Sequence, residues 1–203
     1  IVKGVQAINW LKISLSGQSN HAGTTPNSNK IDPNRVFSEV LNFLNKKIKS
    51  NSDQLATIGK VEYYPNQTNV IPKQIVFTID LRNRNDLKLK KFKKDLVNKI
   101  IFYSKKYSIT SKITELVNFK SVKFDENLNN IIKKNILKNK LSYMNMFSGA
   151  GHDAQMISEI CPTSMIFIPS KDGISHDKKE FTTKQQIKNG LNLLLNVTED
   201  LLN

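Results

Sequence analysis

Apolar and polar positions alternate in some stretches of this chain and recur at helical spacing in others. Leu11, Ile13 and Leu15 alternate with Lys12 and Ser14, the pattern of a strand with one buried face. The cleanest alternation runs from Gln74 to Arg82. There Ile75, Phe77, Ile79 and Leu81 point one way, and Thr78, Asp80 and Arg82 point the other. Thr57 to Tyr63 is a further strand candidate, and Ile109, Ile113 and Val117 mark a fourth. Between these lie two helical patterns. Asp32-Pro33 offers a capping carboxylate and a first-turn proline. Phe37, Val40 or Leu41, Leu44 and Ile48 then share a face, with an end near Lys49 and a break at Asn51-Ser52-Asp53. The second helix carries Leu89, Phe92, Leu96, Ile100 and Tyr103 on one face and lysines on the other. The connection from Tyr64 to Pro72 is too long and proline-bounded for a tight hairpin. The order β-α-β-β-α-β over about residues 8 to 118 predicts a ferredoxin-like domain.

Past residue 119 the pattern changes. Leu128, Ile131, Ile132, Ile136 and Leu137 predict a helix, and a short helix is expected to end at Ile157. The continuous run Met165-Ile166-Phe167-Ile168 reads as a strand buried on both faces in a parallel sheet. A closing helix carries Ile187, Leu191, Leu194 and Leu201. These are the expected last elements of an α/β domain whose other strands lie elsewhere, since one convincing strand cannot make a doubly wound sheet. The expected division is therefore 1–118, with residues 1–8 as a connecting segment, and 119–203. The start at Ile1 rather than Met suggests a piece of a longer protein.

Composition changes this picture little. The formal charge of +14 would ordinarily raise nucleic-acid binding, but the excess is nearly all lysine spread over helix faces. Only Arg35, Arg82 and Arg84 supply the forked donors that specific readers favour, so no nucleic-acid partner is expected. No apolar run approaches membrane-spanning length. The single cysteine, Cys161, excludes an internal disulfide and fits a reducing, cytoplasmic compartment. With no histidine or lysine beside it, Cys161 is expected to be a small buried hydrophobe.

Candidate chemistry lies in three polar loops, each holding one of the three histidines. Ser19-Asn20-His21-Ala22-Gly23-Thr24-Thr25-Pro26 contains no large apolar side chain and is suited to gripping a polar ligand. Ser148-Gly149-Ala150-Gly151-His152-Asp153 precedes the short helix, and Asp172-Gly173-Ile174-Ser175-His176 follows the apolar run. A zinc site needs three or four His, Cys or carboxylate ligands, and neither HExxH nor paired CxxC occurs. Taken singly, each residue also has an ordinary reading. Arg82 suits a surface ion pair, Asn69 a turn cap, His21 plain surface, and His152-Asp153 a helix start.

Asn20 to Pro26, Asn69-Val70-Ile71-Pro72, Asp80-Leu81-Arg82, Ser148 to Ala154 and Asp172 to His176 occur together in one order. In this the chain resembles the M20 metallopeptidase superfamily. The resemblance is to its amidase branch of N-carbamoyl-L-amino acid hydrolases, β-ureidopropionases and allantoate amidohydrolases. It implies a lid (dimerisation) domain followed by the C-terminal segment of a zinc-peptidase-like catalytic domain. It also implies a metal-dependent hydrolase of linear C–N bonds in carbamoyl or ureido acids, working as a homodimer. His176 matches the final ligand of a centre holding two divalent ions, zinc or manganese. Gly151 and His152 match a substrate-contacting turn. His21, Asn69 and Arg82 match lid residues that reach a carboxylate-bearing small substrate from the neighbouring subunit. Arg82 would meet the carboxylate, Asn69 the ureido or amide group, and His21 the oxyanion. The family's other ligands and general base fall upstream of Ile1, so the metal centre would be complete only with that half. Asn27 and Lys73 depart from the usual Met and Gly of the pattern. The alternatives are a peptidase or deacylase of the same superfamily, and a non-catalytic dimerisation module with a vestigial tail.

Overall fold

In the computed structural model, which describes residues 1–49 and 53–202, the chain forms two compact units. One comprises residues 7–121, and the other joins residues 1–6 to the segment from 122 onward. Residues 1–6 are no connecting segment. Val2–Val5 (β1) is a strand with Val2 and Val5 fully buried, and its partners lie more than a hundred residues away. No helix among the described residues is long and apolar enough to cross a membrane.

The 7–121 unit follows the predicted order. Ala7–Ser16 (β2), Leu55–Tyr64 (β4), Gln74–Asn83 (β6) and Thr110–Phe119 (β7) form one antiparallel sheet in the order β4-β6-β2-β7. The alternation in β6 is realised fully: Ile75, Phe77, Ile79 and Leu81 are each 0% exposed. They meet Leu11, Ile13 and Leu15 of β2 and the inner faces of two helices, Asn34–Lys49 (α1) and Asp86–Lys106 (α2). Asp32 caps α1 by accepting from the Asn34 N–H at 2.9 Å, and Asn85 caps α2 by accepting from the Lys88 N–H at 3.0 Å. Val36, Val40 and Leu44 are the buried stripe of α1, and Leu41 is exposed. Phe37 packs on Phe77 with ring centroids 4.8 Å apart. Burying each such side chain contributes about 1.5–3 kcal/mol. In the predicted helix break, Asn51 and Ser52 lie outside the described residues. The connection after β4 contains the two-residue strand Val70–Ile71 (β5), which pairs with Asn20–His21 (β3).

The second unit is thinner. β1 pairs with Val122–Lys123 (β8) on one side and Met146–Ser148 (β9) on the other. Glu126–Lys138 (α3), capped by Asp125, packs against Lys184–Leu202 (α5). Asp153–Ile157 (α4) is the predicted short helix. Three expectations fail here. Residues 165–168 are not a strand buried on both faces: Met165 makes one antiparallel bridge to Val2, and Phe167 and Ile168 are 42% and 41% exposed. Apolar content alone does not supply the flanking strands a parallel strand requires. Cys161 is exposed, because α4 ends at Ile157 and the following turn carries the thiol outward. On α5 the buried residues are Leu193 and Val197, whereas Ile187, Leu191, Leu194 and Leu201 all exceed half exposure.

Candidate functional site

The β3–β5 pair builds the first part of the site. It sets His21 opposite Val70 and lets the Ala22 N–H donate to the Asn69 carbonyl at 2.9 Å, so residues 48 positions apart become neighbours. The loop after His21 folds back onto it. Thr25 Oγ1 donates to the His21 carbonyl at 2.6 Å, and the N–H groups of Gly23 and Thr24 donate to His21 Nδ1 at 3.1 and 3.2 Å. Since Nδ1 accepts both, the neutral ring carries its proton on Nε2 and presents that nitrogen as a donor. A Cβ at Gly23 would sit 3.4 Å from His21 Cε1, an ordinary contact distance. Asn69 is exposed at the turn before β5 and, among the described residues, its amide makes no hydrogen bond within the chain.

Arg82 is elsewhere. It lies near the far end of β6, eight residues past Gln74, which at strand rise is about 26 Å from the end that leads to β5. Its guanidinium is engaged by Asp80 two positions earlier on the same face. Arg82 Nε donates to Asp80 Oδ1 at 2.9 Å and Nη2 to Oδ2 at 2.6 Å. The structure thus brings His21 and Asn69 together and leaves Arg82 apart, one edge of its fork held by a carboxylate. Asp80 was legible as a same-face neighbour at i−2, but nothing in the pattern says that it grips the fork.

The second unit holds the other candidates. Gly151 and His152 sit in the turn between β9 and α4, with His152 in extended backbone geometry at the helix start. Gln6, itself buried, anchors this turn: its N–H donates to the Ser148 carbonyl at 3.2 Å and Nε2 to the Gly149 carbonyl at 3.0 Å. Ser148 Oγ lies 2.7 Å from His152 Nε2, and the imidazole meets Phe167 edge-on at 5.5 Å between centroids. Ser148 lay inside the quoted motif, yet its role was not recognisable without the turn.

His176 is exposed, in a left-handed conformation (φ 60°) that side-chain-bearing residues seldom adopt. Its N–H donates to Glu180 Oε2 at 2.9 Å, which ties the turn to itself. As a neutral imidazole it suits a single ligand position for zinc or manganese. Among the described residues no group of three or more His, Cys, Asp or Glu is gathered to hold a metal ion. These residues alone do not fit a complete metal centre.

Comparison with known proteins identifies the family of the chain. The sequence model of peptidase family M20/M25/M40 matches residues 12–200. Allantoate amidohydrolase of Bacillus subtilis is 37% identical over 183 residues, covering 90% of this chain and 44% of that protein. An N-carbamoyl-L-amino-acid amidohydrolase of a Pseudomonas species is 31% identical over 196 residues, covering 96% of this chain and 47% of the relative. A hydantoinase/carbamoylase family amidase from Burkholderia vietnamiensis superposes with a TM-score of 0.89 at 30% identity, over 97% of this chain and 48% of that one. The chain spans about half the length of these relatives. With 12–200 matched by the family's sequence pattern and the fold shared with its amidases, the chain belongs to peptidase family M20/M25/M40.

Proposed function

We propose that this chain supplies the lid and the C-terminal catalytic segment of an amidohydrolase. The enzyme cleaves linear C–N bonds in N-carbamoyl amino acids or related ureido acids such as allantoate. The observation that carries the reading is the β3–β5 pair, which joins His21 and Asn69 into one polar rim. The similarity to allantoate and N-carbamoyl amino acid amidohydrolases gives that rim its substrate class.

The residues divide the work by their hydrogen-bonding chemistry. His21 Nε2–H donates to the carbonyl oxygen as negative charge builds on it, and Asn69 both donates to and accepts from the ureido group. Gly151 and His152 line the turn that contacts the substrate. Arg82, with Asp80 fixing the plane of its fork, meets the substrate carboxylate. A small acid cannot reach across about 26 Å of strand. If Arg82 and the His21–Asn69 rim touch one substrate, they come from two copies, which supports a homodimer through the lid unit. His176 would hold one position of a divalent-metal centre, and that centre, when bound, would supply the activated water.

The test is ammonia release from N-carbamoyl amino acids and from allantoate. The chain is assayed with zinc or manganese, alone and co-expressed with the complementary half of the Bacillus subtilis allantoate amidohydrolase. The complemented protein is expected to cleave at least one substrate and the chain alone neither. A folded complemented protein without C–N cleavage overturns the reading.

A further inference from the structure

The turn around His152 carries an assignment beyond the substrate class, and it rests on the amidohydrolase reading above. Ser148 is 3% exposed, and its hydroxyl meets three groups. The Ala150 N–H donates to Oγ at 3.1 Å, the Ala150 carbonyl oxygen lies 3.0 Å away, and His152 Nε2 lies 2.7 Å away. A hydroxyl has one proton to give. The Ala150 carbonyl can only accept, so it takes that proton. If the proton went to His152 instead, the lone pairs of the buried Ser148 hydroxyl and of the Ala150 carbonyl would face each other at 3.0 Å in a part-buried position. One arrangement satisfies every partner within the turn itself: His152 Nε2–H donates to Ser148 Oγ, and Ser148 Oγ–H donates to the Ala150 carbonyl.

We infer that Ser148 is a positioning residue holding His152 in its Nε2–H tautomer, so that Nδ1 accepts an N–H of the terminal NH2 of the substrate's ureido or carbamoyl group. In hydrogen-bonding chemistry His152 is the complement of His21. Both rings carry the proton on Nε2, but His21 turns its donor outward, whereas His152 spends its donor on Ser148 and keeps an acceptor. Among the described residues no hydrogen bond reaches His152 Nδ1, and its residue is partly exposed. Phe167 against the ring edge and the Gln6 anchors of the turn limit its rotation. An acceptor at this position distinguishes a carbamoyl group, with its NH2, from an acetyl group of the same shape whose methyl has nothing to donate. Sites that hydrogen-bond a substrate N–H discriminate strongly against analogues lacking it.

The experiment is long-range 1H–15N correlation on the chain labelled with 15N-histidine, with His152→Gln locating the His152 signals. The wild type is expected to show the Nε2–H pattern, Ser148→Ala a mixture with at least a fifth in the Nδ1–H form, and Ser148→Thr the wild-type pattern. Backbone amide spectra confirm that each variant is folded. An Nδ1–H tautomer in the wild type, or a folded Ser148→Ala with an unchanged ratio, overturns the positioning role. N-carbamoylglycine is then titrated against N-acetylglycine in the complemented, metal-stripped protein, and the His152 Nδ1 resonance should respond to the former at least about tenfold more tightly. Equal response, or none to either ligand, overturns the acceptor role. The ammonia-release assay reports separately: cleavage combined with equal response removes this inference and leaves the amidohydrolase reading in place.

Discussion

The two units of this chain bury their apolar residues to different extents. Among the described residues of the 7–121 unit, one cluster of sixteen buried residues joins β2 and β6 to both helices. In the other unit the buried apolar residues fall into clusters of five and three, and α5 leaves Leu191, Leu194, Leu195 and Leu201 more than half exposed. Both have apolar helix stripes, so the difference is not one of composition. The first unit has a four-stranded sheet wide enough to receive two helices, and among the described residues the second offers only β8-β1-β9. Apolar side chains are stabilising only where a partner surface exists to receive them.

The largest break of this contrast is Phe77→Ala. It should cost the 7–121 unit about 3–5 kcal/mol, whereas Leu194→Ala on α5 should change the other unit by less than about 0.5 kcal/mol. Trp10, the single tryptophan, sits in β2 and reports urea unfolding of the first unit directly. Similar costs for the two variants would show that the exposed α5 face is packed in solution.

Gly4→Ala addresses the second unit alone. A Cβ at Gly4 would fall on the Val122 carbonyl oxygen and within 2.9 Å of the Phe147 ring, where β1 meets β8. A loss of about 1–3 kcal/mol is expected, read as faster hydrogen exchange in β1 with the Trp10 transition unmoved. A shift of both transitions would mean the units unfold as one.

Asp80→Ala should cost the fold at most about 1 kcal/mol, since the pair with Arg82 is partly solvated. In the complemented protein it should raise KM for carboxylate substrates by loosening the fork, and Arg82→Lys should do the same more strongly. An unchanged KM in both would remove Arg82 from substrate binding.

The smallest effect is that of pH. Hydrogen bonds from Lys93 and Asn9 hold the Glu115 carboxyl below the usual carboxylate range, against a weaker opposing push from burial. A carboxylate with a depressed folded pKa stabilises above its unfolded value, and that contribution disappears as pH falls through the folded value. The 7–121 unit should therefore weaken as pH drops below about 4, and Glu115→Gln should flatten that slope. Because Glu115 is partly exposed, the amplitude is at most about 1 kcal/mol and shrinks in high salt.

Period and capping decided most of the first unit from sequence. Alternation in β6, the Asp32 cap and the helical stripes are local properties, each set by the geometry of its own segment. The same reasoning failed at residues 165–168, because a strand is defined by the neighbours it pairs with and the run cannot name them. It failed at Cys161 for a related reason: burial depends on what packs over a turn. The candidate residues were legible only as motifs. Pairing of β3 with β5 decided that His21 and Asn69 meet, and the length of β6 decided that Arg82 stands apart. The fold-back of two loops decided which nitrogen each histidine shows. Local sequence fixes torsions and faces, whereas hydrogen-bond direction at a site depends on groups that only tertiary structure brings within 3 Å.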